Sequence, residues 1–357
     1  MSNKQKAVLI VVVAALAVLV YLQFRAWRSF DWAKFVEGTE GIDWSHVLVG
    51  VMFIYGADFL RAVRWKIFLR PTSPKASWTG LIAPQYVGFT ALALLGRPGE
   101  FVRPYLIARR EGQSVASQVA IWFVERAFDT GAVTLMLAAD IFLVPTMRLN
   151  YPQWRPAGYA LIAAFVSFVI AIWALWKHGV PIAAWFCRRL GRISPRLGAR
   201  ADHKLRAVAA GLNAIHDKRS FFECCLLSLC IWTLVALAYR QVTHAYPVAT
   251  GLPALELPEV ILLMGASVVG GVIQLPVVGG GSQLATIAVL SQTFGYQDAP
   301  ELAVSCGILL WLVVFMSVVP LGLALARHEH LSLRKLGEES QQAEAAAEAE
   351  IAPKSGS

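Results

Sequence analysis

Charge is scarce in this chain. Asp, Glu, Lys and Arg supply 15% of its 357 residues, and 57% are hydrophobic. Soluble domains run nearer about 25% charged and about 45–50% apolar. That deficit excludes an ordinary soluble globular protein. Other chemistry is missing too. There is no Walker-type phosphate loop, so nucleotide-driven work has no visible seat. The seven histidines are scattered over loops without metal-ligand spacing. Cysteine is sparse: Cys187, Cys224, Cys225, Cys230 and Cys306 follow no pairing or ligand pattern, which argues against a disulfide framework or a structural metal. Free thiols of this kind are ordinary apolar filler. Neither a metal nor a cofactor is expected.

What the chain has instead is long apolar sequence, with a mean hydropathy of +0.56. Eight apolar segments fall at 7–23, 45–60, 79–95, 118–145, 157–176, 222–243, 258–292 and 301–326. A helical span requires about 20 apolar residues, with about 17 as the short limit. The first run follows Lys4 and Lys6, as a signal peptide would. It is long for a signal core, however, and leads into Tyr21, Gln23 and Phe24 rather than a small-residue cleavage site, so it is expected to be a retained helix. Segment 79–95 is marginal for a span. Segment 258–292 is too long for one helix and is interrupted by Gly270-Gly271, Pro276 and Gly279-Gly280-Gly281. Both read as re-entrant hairpins. The expected fold is all-α: a polytopic membrane protein of six full spans plus two re-entrant helical hairpins.

The basic residues support that topology. With both hairpins re-entrant and the N-terminus inside, 25 of the 32 Lys and Arg fall in inside loops and five outside, while Arg126 and Arg240 lie within segments. Ordinary spans at both places would put the basic 177–219 loop outside, against the positive-inside rule. Both termini are therefore expected to be cytoplasmic. The net charge of +9 is read as loops facing anionic lipid, not as a nucleic-acid surface.

An internal repeat emerges. Stretch 78–145 is a hairpin with a Gly/Pro break, followed by a full span; 258–326 has the same plan. The hairpins enter from opposite sides, and paired Gly/Pro-interrupted segments in inverted repeats point to a transport site. The integral domain is drawn at 1–336. It includes a basic cytoplasmic loop at 177–221, with an amphipathic surface helix expected near 201–216. The tail 337–357 is rich in Glu, Ala, Gln and Ser and is expected to be disordered.

Charges where hydrocarbon is expected are functional candidates. The block Gly96-Arg97-Pro98-Gly99-Glu100-Phe101-Val102-Arg103 breaks the first hairpin. Glu125 and Asp129 are i and i+4, hence on one face of the fourth segment. They would repel without a cation, and Arg126, Arg97 and Arg103 are the expected partners. Two readings follow: an ion-pair network locking hairpin to span, and a cavity whose arginines hold an anionic headgroup through their planar forks. Arg61, Arg64 and Lys66 with Trp65 end the second segment, and read first as a basic anchor with an interfacial tryptophan. Asp58 is placed to pair with Arg61. Asp140 and Arg240 are expected to pair or to snorkel near an interface. In the second hairpin Gln274, Ser282 and Gln283 surround the three glycines, where free backbone N–H groups suit an anion.

Four blocks in this order resemble the flippase-like family named after the transmembrane region of lysylphosphatidylglycerol synthase. They are Arg61-Ala62-Val63-Arg64-Trp65, the 96–103 block, Glu125-Arg126 with Asp129, and the 276–281 hairpin. The resemblance covers about residues 7–326. The second and third blocks carry most of it. Gly279-Gly280-Gly281-Ser282-Gln283 departs from the Pro-Gly-Gly run and Arg-Glu often found in that hairpin, so a charged role there is not implied. The large aminoacyl-transferase domain of the full synthase has no counterpart in this chain. The resemblance thus implies the lipid-translocating half, in a bacterial inner membrane: a flippase of an anionic phospholipid or lipid-linked glycan, and not an enzyme. The implied partners are membrane lipids and a lipid-synthesising or glycosyltransferase enzyme. The alternative is an intramembrane lipid-modifying enzyme, or an accessory subunit of such a pathway. The expected substrate-binding residues are Arg64, Arg97, Glu100, Arg103, Glu125, Arg126, Asp129, Gln274, Ser282 and Gln283.

Overall fold

The computed structural model describes residue 36 and residues 39–167, 169–170, 217–271, 274–275 and 279–328. The first apolar segment, most of the basic loop with its expected surface helix, residues 276–278 and the 337–357 tail lie outside the described residues. What is described is helical apart from one small ribbon. Helix α1 (Trp44–Leu69) pairs antiparallel with α5 (Lys218–His244) in the most extensive helix contact of the bundle. At one end the Asp43 amide donates to the Ala245 carbonyl at 2.8 Å, and at the other Arg70 donates to the Ser220 hydroxyl at 3.2 Å. Between them in sequence come α2 (Trp78–Leu95), a 3-10 turn (Arg97–Phe101), α3 (Val102–Glu111) and α4 (Val115–Leu143). Side-chain caps start these helices: Asp43, Ser77, Ser114 and Asp217 each accept from a backbone N–H in the first turn, satisfying donors the helix cannot.

The first hairpin, α2–turn–α3, breaks where Gly96 takes φ +69, a conformation that suits glycine. Gly99 then lies so close to the Ala91 carbonyl that a Cβ would overlap it. The hairpin's open end sits beside the α1 C-terminus, where Ser73 donates to Glu111 at 3.0 Å. The second hairpin is α6 (Leu257–Gly270), a two-residue antiparallel ribbon pairing Gln274 with Gly280 and Leu275 with Gly279, and α7 (Gly281–Thr293). Its open end lies at the other end of the bundle, where Tyr151 donates to Glu259 at 2.7 Å and packs edge-on to Phe294. Tyr151 is half-buried there and holds its phenol proton tightly, because partial burial and the acceptor Glu259 both push its pKa up.

Each hairpin is followed by 29 helical residues: α4 after the first, and 300–328 after the second. The latter comprises α8 (Pro300–Trp311), a π-turn (Leu312–Met316) and α9 (Val318–His328). Pro320 has no N–H for the preceding turn, and the π-turn closes with the Ser317 amide donating to the Leu312 carbonyl at 2.8 Å. Tyr55 caps the Ser317 carbonyl from α1 at 2.7 Å. Helix α9 runs along α2, with Gly322 against Tyr86 and Thr90.

Among the described residues four helices are long and apolar enough to cross a membrane: Trp44–Leu69, Trp78–Leu95, Lys218–His244 and Pro300–His328. Helix α4 is as long as the longest of these, but any 18-residue window of it includes at least three of Glu125, Arg126, Asp129 and Asp140. Those carboxylates and guanidiniums turn inward: Glu125, Asp129, Asp140, Arg64 and Arg103 are buried, while Trp44, Leu48, Met52, Phe123, Leu135 and Phe222 face outward. Polar inside and greasy outside reverses the soluble pattern. This is a multi-pass membrane protein.

Candidate functional site

A buried ion-pair network ties the first hairpin, α1, α4 and α5 together. Arg64 projects from α1 with no exposed surface. Its Nη1 donates to Asp129 Oδ1 at 2.8 Å and to the Ser228 hydroxyl at 2.6 Å, and its Nη2 donates to Glu125 Oε1 at 2.9 Å. Arg103 comes from α3. It donates to the second oxygen of Glu125 and, at 3.1 Å, to Gln85 Oε1. Its approach depends on Gly88, where any Cβ would overlap the Arg103 side chain. The Arg103 guanidinium also lies over the Trp65 and Phe89 rings at 5.0 and 5.4 Å, a geometry favourable for a cation on a π face. Trp232 Nε1 donates to Asp129 at 3.2 Å. Glu125 and Asp129 share a helix face and are held together by the arginines between them. Charges buried this deeply persist only when each has partners.

Beside this network is a cavity of about 320 Å³. Asp58 and Arg61 of α1 stand in its wall, paired at 2.8 Å. The Arg61 guanidinium lies 5.2 Å from the Phe89 ring and 5.8 Å from that of Trp232. Arg126 reaches it from α4, still held to Asp129 at 3.1 Å and 3.7 Å from Glu125, with 39% of its side chain exposed. Glu100 from the turn completes the polar end. The rest of the wall is apolar and includes Ile54, Leu92, Val235, Met264 and the π-turn residues Val314 and Phe315. Both hairpins contribute: Leu92 and Glu100 from the first, and Ser267, Val268 and Gly271 from the second. A π-turn at such a wall fits the tendency of these bulges to lie at functional sites. Arg61 and Arg126 thus bring two guanidiniums to the polar end of the wall, and Arg126 keeps part of its side chain exposed. The arrangement suits a molecule with an acceptor-rich polar head and an apolar remainder. Among the described residues no three His, Cys, Asp or Glu are grouped to hold a metal ion.

The expected site residues separate into three sets. Arg64, Arg103, Glu125 and Asp129 form the buried network, and Glu100 and Arg126 face the cavity. Ser282 is buried and Gln283 half-buried on α7, and neither lines the cavity. The side chains of Arg97 and Gln274 lie outside the described residues. Three expectations need correction. Arg64 and Trp65 are not an interfacial anchor: α1 continues to Leu69 and buries both completely. Arg61 is likewise in the cavity wall and not at an aqueous boundary. Asp140 neither pairs nor snorkels, because it is buried with both carboxylate oxygens lacking a hydrogen-bond partner. Sequence reasoning also passed over Gln85, Ser228 and Trp232. None stands out in an apolar run, and only their convergence on Arg103, Arg64 and Asp129 marks them.

A family model described as the lysylphosphatidylglycerol synthase TM region matches residues 9–329. No curated protein and no solved structure matches the chain.

Proposed function

Because the chain belongs to the family of the lysylphosphatidylglycerol synthase TM region, a family of membrane proteins tied to lipid metabolism or transport, we propose that it moves an anionic phospholipid or a lipid-linked glycan between leaflets. The observation that carries this reading is the cavity between two hairpins that open at opposite ends of the bundle, with Arg61 and Arg126 at its polar end. Helix α3 has 10 residues, about 15 Å of rise, half of the roughly 30 Å hydrocarbon core. Helices α6 and α7 have 14 and 13 residues, about 20 Å each. Both hairpins are therefore read as re-entrant, which with the remaining segments gives six spans. Lys75, Arg70, Arg109, Arg110, Lys218 and Arg219 gather at the open end of the first hairpin, and that end is assigned to the cytoplasm of a bacterial inner membrane.

The carboxylates favour transport over chemistry. Glu125 and Asp129 accept from Arg64, Arg103 and Trp232, and so serve as acceptors that aim the arginines. Arg61 and Arg126 are already countered by Asp58 and Asp129. A phosphate binds there in competition with them, tightly enough to enter and loosely enough to leave, as conduction requires. The test is reconstitution in liposomes carrying phosphatidylglycerol labelled on its headgroup, with an impermeant reagent reporting which leaflet holds the label. Protein-dependent exchange that disappears in Arg126→Gln is expected. Exchange no faster than in empty liposomes, across both phospholipid and lipid-linked sugar probes, overturns the proposal.

A further inference from the structure

We infer that the cavity has a sideways portal into the bilayer, between the tip of the first hairpin and α4, made for the acyl chains of the lipid whose headgroup the cavity holds. The inference rests on the reading above and adds where the tails go. At about 320 Å³ the cavity is near the lower end of ligand sites, with room for a phosphorylated headgroup and not for two acyl chains. Those chains gain from staying in hydrocarbon, since each methylene withdrawn from it loses apolar burial. A headgroup inside with chains outside demands a slot in the wall.

Arg126 stands where the main cavity adjoins a smaller one. A small side cavity of about 20 Å³ shares Phe89, Leu92, Glu100 and Arg126 with the main one and adds Gly88, Arg103 and Trp122. It has space for a single water. On its far side the Trp122 ring contacts Phe101 at 5.9 Å and Phe123 at 4.9 Å between centroids. Phe101 is 40% and Phe123 48% exposed on the greasy surface. The Trp122 indole thus lines the side cavity and touches two rings exposed on the greasy surface. The Arg126 guanidinium sits 5.9 Å from the same ring, so a phosphate drawing Arg126 inward removes one of the contacts that hold the indole. The floor of the slot, Phe89 and Leu92, is apolar, and Gly88 adds no side chain to it.

The test uses the whole wild-type chain in vesicles of phosphatidylcholine and phosphatidylglycerol, with phosphatidylglycerol bearing a diazirine in its acyl chain as the probe. After irradiation, labelled residues are read by peptide mass spectrometry. Label at Phe101, Trp122 and Phe123 should exceed that at Leu48 and Met52, which also face outward, by about tenfold. Glycerol 3-phosphate, a headgroup without chains, should reduce the former and leave the latter. Equal labelling around the belt, or labelling at the three aromatic positions indifferent to glycerol 3-phosphate, overturns the portal whether or not lipid is moved. Focused, competed labelling in vesicles that show no lipid exchange keeps the portal and removes the transport reading.

Discussion

Arg64 of α1 and Glu125 of α4 meet at 2.9 Å with both side chains fully buried. Sixty-one positions apart, they lock the helix that precedes the first hairpin to the helix that follows it. Removing one partner strands a charge in the bundle, a loss of about 3–5 kcal/mol. Arg64→Ala and Glu125→Ala should therefore lower the melting temperature in detergent and broaden the size-exclusion peak. Arg64→Lys should fail as well, because a point charge cannot reach Glu125, Asp129 and Ser228 at once. A melting temperature unchanged in Arg64→Lys would falsify the network as a structural lock.

Arg126 and Arg61 should behave differently. Each has a carboxylate partner and lines the cavity. Arg126→Gln should fold with a melting temperature close to wild type, because Asp129 keeps its bond from Arg64; Arg61→Gln strands the buried Asp58 and should also lower the melting temperature. A charge-assisted hydrogen bond contributes about 1.5–3 kcal/mol, so headgroup binding should weaken roughly ten- to hundredfold. Titration with a short-chain phosphatidylglycerol in detergent measures this. Wild-type affinity in both variants would remove the arginines from the site.

The charged hairpin–span core was legible because ionisable residues in apolar runs stand out: Glu125, Asp129 and Arg103 needed only helical spacing and a cation count. The two breaks were legible for a related reason, since Gly96 through Glu100 and Gly279 through Gly281 cannot continue a helix at low cost. Arg61 and Arg64 were misplaced because hydropathy reports where an apolar run stops and not where a helix stops. Helix α1 continues nine residues beyond residue 60, and the charges in that extension are sheltered by α4 and α5, which a one-dimensional profile cannot show. Segment 301–326 reads as one span because the π-turn is supported by Tyr55 capping the Ser317 carbonyl, a contact made 262 positions away.

Gly99 offers a test of the hairpin break itself. A methyl there would overlap the Ala91 carbonyl, which is backbone and cannot rotate away. Gly99→Ala should lose about 1–3 kcal/mol to overpacking and displace Glu100 from the cavity. The expected result is a lower melting temperature together with weaker headgroup binding. Gly112→Ala provides the contrast: its φ of +64 carries some strain but nothing lies within 4 Å, so binding should survive there. Loss of binding in both variants would mean that general instability, and not the tip geometry, is being measured.

The proposed opposed insertion of the hairpins is checked by labelling from each face. Helix α3 is about 15 Å long, so a chain entering at Ser77 cannot exit the far side by Glu111, and Lys75 and Arg110 should share one compartment. The second hairpin starts and ends at the opposite end of the bundle, so Ala249 and Gln297 should share the other. All four positions are exposed. In a background with the five native cysteines replaced by alanine, Lys75→Cys and Arg110→Cys should react with an impermeant maleimide only in inside-out vesicles. Ala249→Cys and Gln297→Cys should react only in intact cells stripped of their outer layer. Lys75→Cys and Arg110→Cys labelling from different faces would turn α2 and α3 into a full crossing. The bundle would then lose the inverted pair of half-crossings on which an alternating-access cavity depends.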